Sequence, residues 1–288
     1  MWQHLLRNWL RQQAAGHLRR AATDAARQKP EPKASTADSR ATERCHVGLV
    51  FADNSEAGSL EDRLQGAFTT QAAFSVIEGG LGGRRVVVVC ASAKSVADAT
   101  RALITGHSPT WIIAAGFCTA LQATLQRGDM VMATSVSEPG GRRLSIDVKL
   151  QDSKTEKAHR VRTGRLLTTD RDVDQPAIRR KLGSQHDALA ADTTSMAVAE
   201  TCRDQQVRCL VIKIVQHAVD DTGMPESKFV NRQASLAGRL GAAAGALVRR
   251  PGSAKDFLKE KQDTLSLADQ LAEFLQSIVE QLPAAQAE

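Results

Sequence analysis

Residues Ala191 to Cys202 read Ala-Asp-Thr-Thr-Ser-Met-Ala-Val-Ala-Glu-Thr-Cys, and the chain continues through the strand-like run Val207 to Gln216 into His217 and Asp220-Asp221. The polar triplet Asp192-Thr193-Thr194 precedes a helical segment, Met196 to Asp204. The run that follows is short, apolar and rich in Val and Ile, as a buried strand requires. Turn, helix and buried strand in succession are the parts of an α/β fold, in which helices cover a sheet on both faces.

Working outward, the same alternation recurs. Buried-strand candidates are His46–Phe51, Phe74–Glu78, Arg85–Cys90, Thr110–Ala115, Asp129–Val136 and Cys209–Gln216, separated by helical segments at Glu56–Leu64, Ser95–Thr105 and Pro176–Leu182. The expected architecture is a three-layer α/β/α domain over residues 45–250 with a largely parallel central sheet. An Ala/Leu-rich helix, Ala234–Leu247, is expected to cover one sheet face until Pro251-Gly252 stops it. Residues 251–288 are expected to add a C-terminal amphipathic helix with Leu267, Leu271, Phe274, Leu275 and Ile278 on its stripe. That stripe needs burial on the domain, on another subunit or on a membrane.

The start of the chain is different. In residues 1–27, Trp2, Leu5, Leu6, Trp9 and Leu10 recur at helical spacing among Arg7, Arg11, Arg19 and Arg20, which predicts a basic amphipathic helix. An anionic membrane surface, a protein partner and an inert extension all remain open for it. A cleavable secretory signal fits poorly, because arginines interrupt the apolar stretch. Residues 28–44 are rich in Pro, Lys, Ser and Thr and read as a flexible linker.

Aromatic residues make up 3% of the 288 and Tyr is absent, so Val, Leu, Ile and Ala must build the core. The net charge of +6 is concentrated in the first residues, so specific nucleic-acid binding by the folded domain is not expected. Five cysteines, Cys45, Cys90, Cys118, Cys202 and Cys209, lack both metal-ligand spacing and a disulfide framework. No metal or cofactor is expected, and a reducing cytoplasm is the default compartment. No apolar run reaches the roughly 20 residues of a membrane span.

Several landmarks resemble the nucleoside phosphorylase superfamily, and within it the methylthioadenosine and adenosylhomocysteine nucleosidases. Val47-Gly48-Leu49-Val50-Phe51-Ala52 with Glu56 resembles the first strand and the loop carrying the family's water-activating glutamate. Ala115-Gly116-Phe117-Cys118-Thr119-Ala120-Leu121 resembles the turn that faces the purine, and Arg127-Gly128-Asp129 the opening of the next strand. Thr193-Thr194 stands where the family has the Met-Glu that grips the ribose, and Gln216-His217 where it has the Ser-Asp that supports protonation of the base. Ala91-Ser92-Ala93-Lys94-Ser95 replaces a glycine-rich turn near the sugar or phosphate, so hydrolysis is implied over phosphorolysis.

Cleavage of a ribose–base bond through an oxocarbenium-like transition state needs a base for water, a group that holds the sugar and an acid for the departing base. The resemblance therefore implies Glu56 as the base and His217 as a replacement acid. It implies Gly116, Phe117, Asp192, Thr193 and Thr194 as substrate-binding residues. Plainer roles stand beside these: Glu56 as a first-turn acid, Asp192 as a helix cap, His217 as a strand-end residue, Lys94 as a surface lysine and Asp220-Asp221 as a polar loop. The expected function is that of a divergent purine-nucleoside hydrolase of weak or altered activity. The alternative is an inactive nucleoside-binding or scaffolding module. A homo-oligomer is compatible with either.

Overall fold

A computed structural model of the chain describes residues 45–71, 73–146, 160–221 and 253–283. The segments expected to form the N-terminal helix, the linker and the Ala234–Leu247 helix lie outside the described residues. Residues Arg44–Glu288 belong to one compact unit.

The described strands are β1 (Val47–Phe51), β2 (Gln65–Gln71), β3 (Ser75–Leu81), β4 (Arg84–Cys90), β5 (Trp111–Ala120), β6 (Met130–Ser137), β7 (Arg143–Ser145), β8 (Val161–Thr168), β9 (Ala190–Asp192) and β10 (Arg208–His217). The described helices are α1 (Asn54–Glu61), α2 (Val96–His107), α3 (Pro176–His186), α4 (Ser195–Asp204) and α5 (Ser253–Gln281). All ten strands share one sheet.

The sheet is mixed, which corrects the expectation of a largely parallel one. Parallel pairs join β1 to β4 and β5, β5 to β10, and β8 to β6 and β9. Antiparallel pairs join β2 to β3, β3 to β4, β6 to β7 and β10, and β5 to β9. One physical source of the difference is the β3–β4 hairpin. Leu81 pairs with Arg84 across Gly82-Gly83, both at positive φ (56° and 73°), as a tight two-residue turn demands. Another is the ring in which β5, β10, β6, β8 and β9 pair and return to β5, where two joins, β10–β6 and β5–β9, are antiparallel.

β2 and β8 escaped the sequence reading because neither shows an apolar run. Every residue of β2 is exposed, and only the end of β8, Leu166–Thr168, is buried.

Alternate side chains of the central strands feed two cores. Val50, Val87, Val89, Ile112, Ala114, Val211 and Val215 pack with α2 and α4 residues such as Leu103, Met196 and Val198. Val47, Leu49, Phe51, Val86, Val88, Ile113, Ile212 and Ile214 pack with α1 and α5. Leu271, Phe274, Leu275 and Val279 of α5 are fully buried there, so the stripe of the last helix is satisfied within the domain. Burial on both faces explains why these strands read as continuous apolar runs. The cysteines are all free, and burial pushes the Cys45 thiol up to about 12.

Candidate active site

The C-terminal ends of β1, β5 and β10 converge with β9 and the start of α1 on a cavity of about 350 Å³. Glu56, Phe117, Asp192, Thr193 and Thr194 all line it, so five of the seven residues implied by the sequence come together.

Glu56 arrives on the first turn of α1, which Asp53 caps by accepting the Ser55 N–H at 2.7 Å. Its carboxylate reaches back to the strands, accepting the Ala52 N–H and the Phe117 N–H, each at 3.0 Å. Gly116 makes this approach feasible. It holds φ at +129°, and a Cβ there would lie 2.4 Å from a Glu56 carboxylate oxygen. Gly116 thus supports the base from behind and does not line the cavity. Burial lifts the Glu56 pKa from 4.5 to about 6, against the opposing pull of the Lys213 ammonium and the two amides. A carboxylate poised there is mostly ionised at neutral pH and basic enough to accept a proton from water.

Asp192, at the end of β9, is held differently. It accepts Thr168 Oγ1 at 3.0 Å, Thr194 Oγ1 at 3.2 Å, Ser195 Oγ at 2.6 Å and the Ser195 N–H at 3.1 Å. The Ser195 amide opens α4, whose N-cap position is Thr194; Asp192, two residues earlier, accepts that first amide from the end of β9. It also forms an ion pair with Lys213 Nζ at 3.0 Å, both side chains being buried. Lys213 donates further to the Ala115 carbonyl at 3.0 Å and to Thr194 Oγ1 at 3.4 Å, which uses its three protons. The hydroxyl of Thr194 therefore lies between a carboxylate and an ammonium, with only acceptor capacity left for a ligand.

Sequence reasoning missed Lys213. Its signal was a single lysine inside the buried run Leu210–Val215, since a full charge in such a strand needs a partner.

His217 is not among the described residues lining the cavity; Gln216 is. The β5–β10 register shifts between Val215 and His217, and such a bulge re-aims one side chain. Lys94 is exposed on the β4–α2 connection and is not among the residues lining the cavity. Asp221 accepts the Ala218 N–H at 2.7 Å, while Asp220 pairs with Arg180, so both belong to a turn beyond β10. Arg179, fully buried on α3, fastens that turn by donating to the Ala218 and Asp221 carbonyls. The cavity also takes Lys261 and Thr264 from α5, and Asp53 and Asp172 from loops. Among the described residues no group of three side chains could hold a metal ion.

The sequence pattern of the phosphorylase superfamily matches residues 46–249. The chain belongs to this superfamily. Among solved structures, the fold is similar to the 5'-methylthioadenosine/S-adenosylhomocysteine nucleosidase of Campylobacter jejuni at a TM-score of 0.63 and 14% identity, covering 83% of this chain and 100% of that one. It is similar to the S-adenosylhomocysteine nucleosidase of Streptococcus pyogenes in complex with 5-methylthiotubericidin, at 0.62 and 17%, covering 85% and 100%. It is also similar to the Neisseria meningitidis nucleosidase in complex with methylthio-immucillin-A, at 0.58 and 18%, covering 81% and 99%. No curated protein matches the chain in sequence. Among the described residues, no helix is long and apolar enough to cross a membrane.

Proposed function

We propose that this member of the phosphorylase superfamily is a divergent purine-nucleoside N-ribosyl hydrolase, similar to the methylthioadenosine/adenosylhomocysteine nucleosidases but with altered activity. The observation that carries the reading is Glu56: a buried carboxylate at the cavity wall, fixed by two backbone amides and with its pKa raised to about 6. Water held against it would lose a proton as its oxygen attacks the ribose C1′. Thr193 and Thr194 take the sugar side, Phe117 offers a face to the base, and Gly116 keeps Glu56 in place. Asp192 acts on the sugar through Thr194. His217, next to Gln216 at the strand end, is the candidate for the acid.

The second reading is an inactive nucleoside-binding or scaffolding module. The saturation of Asp192 by Lys213, Thr168, Thr194 and Ser195 favours it, because this carboxylate has little capacity left to grip two ribose hydroxyls.

Incubating the full chain with methylthioadenosine, adenosylhomocysteine, inosine and adenosine, with and without phosphate, separates the two. Free-base release that is independent of phosphate supports the hydrolase. Calorimetric binding of a nucleoside without release supports the module.

We place the domain in the cytoplasm, as a homo-oligomer or a single chain, with the basic segment of residues 1–27 as an attachment to an anionic membrane surface or a protein partner. Liposome co-sedimentation of the full chain and of a chain starting at Cys45 tests the attachment. Equal binding by both rules out the membrane reading.

A further inference from the structure

A second cavity, of about 450 Å³, lies at the other end of the sheet, where β5 and β10 begin. Trp111 and Arg208 are paired neighbours at those strand starts, and the Arg208 guanidinium sits 5.1 Å from the centre of the indole ring. Leu144 and Val207 give the cavity an apolar wall, while Arg203 and Cys209 add polar groups. No carboxylate is among its described lining residues. Arg203 holds the adjacent Asp204 at 2.8 Å in an exposed pair, which water screens. Arg208 leans on an aromatic face, which orients its charge without neutralising it. The cavity is therefore suited to an anion.

Cys209 places a nucleophile in this setting. Its half-buried thiol donates to the Leu210 carbonyl at 3.6 Å, and the Cys202 thiol of α4 is hydrogen-bonded to it. The tight return from α4 to β10 makes that contact: the Val207 N–H donates to the Cys202 carbonyl at 2.9 Å, and Gln206 takes φ of +55°. Thiols in hydrogen-bond contact need only a small side-chain rotation to reach the S–S distance of about 2 Å. The contact with Cys209, together with burial, raises the Cys202 thiol and keeps it protonated. Burial also lifts the Cys45 and Cys90 thiols to about 12 and the Cys118 thiol higher still, which makes these three inert.

We propose that Cys209 and Cys202 form a thiol–disulfide exchange site for anionic low-molecular-weight disulfides, Cys209 making the attack from this cavity and Cys202 resolving the product. Cys209 gives its proton to solvent, and its sulfur bonds to one sulfur of the incoming disulfide. The disulfide's S–S bond breaks with its electron pair going to the departing thiolate, which takes up a proton. Cys202 then loses its proton and its sulfur attacks that of Cys209, expelling the second small thiolate, which is protonated in turn. Two protein thiols are oxidised to one disulfide, and the small disulfide is reduced to two thiols. Because Cys202 is held protonated, the second step is the slower one, and the mixed disulfide at Cys209 is seen first.

The test exposes the reduced full chain to glutathione disulfide, which carries carboxylates, and to cystamine, which carries two ammonium groups. Free thiols are alkylated at intervals, and intact mass and peptide mapping follow the products. The unaltered chain is expected to pass through a mixed disulfide at Cys209 to a Cys202–Cys209 disulfide. Cys202→Ser should stop at the mixed disulfide, and Cys209→Ser should lose both species. Arg208→Ala should slow the reaction with glutathione disulfide roughly tenfold, the lower end of what an oriented charge field does to an encounter rate, and leave that with cystamine unslowed. Modification that persists at Cys202 in Cys209→Ser, or that falls first on Cys90, would overturn the proposal. So would a mixed disulfide that never resolves in the unaltered chain, or an Arg208→Ala effect equal for both reagents. If Cys209→Ser fails to fold, the order of products on the unaltered chain and on Cys202→Ser decides.

Discussion

Two buried carboxylates face the same cavity, and they are built for different work. Among the described residues Glu56 accepts two backbone amides and no side-chain donor, and burial holds its pKa near 6. Asp192 is surrounded by hydroxyls, the Ser195 amide and the Lys213 ammonium at 3.0 Å. The first retains basicity and lone pairs to offer a reactant. The second has spent its capacity on the fold, tying β9, α4 and β10 together. Position in a cavity does not make a carboxylate reactive; the number and charge of its donors decide.

The sharpest way to break this comparison is to remove each charge in turn. On any riboside the chain cleaves, Glu56→Gln is expected to lower kcat/KM by roughly 10² to 10⁴-fold while leaving the circular dichroism spectrum unchanged. An unaltered rate would remove Glu56 as the base. On the other wall the large effect should be on stability. Lys213→Met leaves Asp192 buried without its ion-pair partner and is expected to cost about 3–5 kcal/mol in urea unfolding. Adding Asp192→Asn to that variant should recover part of the loss, because the uncompensated charge is then gone. Full stability in Lys213→Met alone would show that the ion pair does not hold the wall together.

The pKa of Glu56 gives a smaller, signed effect. Its folded value of about 6 lies above the ordinary 4.5, so the folded chain binds this proton more tightly than the unfolded chain. Its contribution to stability is complete below pH 4.5 and is lost as pH rises through about 6. The loss amounts to about 2 kcal/mol, and the difference in unfolding free energy between the unaltered chain and Glu56→Gln should track it across that window. Activity runs the opposite way, rising as the carboxylate ionises, with the acidic limb of kcat/KM centred near 6. The smallest effect concerns the support of that wall. Asp53→Ala removes the cap on the Ser55 amide and is expected to cost about 1 kcal/mol in thermal unfolding, with Glu56 still bonded to Phe117.

Much of the architecture could be read from the chain because strands buried on both faces leave continuous runs, such as Val47–Phe51 and Leu210–Val215. Exposed or half-buried strands leave no such trace, which hid β2 and most of β8. The turn Gly82-Gly83 did carry a hairpin signal, and weighing it would have argued against a largely parallel sheet. In the site, Glu56, Phe117 and the Asp192–Thr194 triplet were legible through their place in a recurring order of parts. Gln216 was overshadowed by His217, because a one-residue bulge sets which of two neighbours enters the cavity and a bulge has no sequence signature here. Lys213 was visible as an anomaly, but its partner lies 21 residues earlier in the chain.

The sequence by itself determined the alternation of helix and strand and the apolar cores, since periodicity and burial are properties of neighbouring residues. It also set which ionisable side chains were available near the strand ends. Only the tertiary structure decided what each of them became. Ionisation and hydrogen-bond capacity depend on groups brought within about 3 Å by chain closure, and this closure gave Glu56 two backbone amides behind Gly116 and gave Asp192 the Lys213 ammonium.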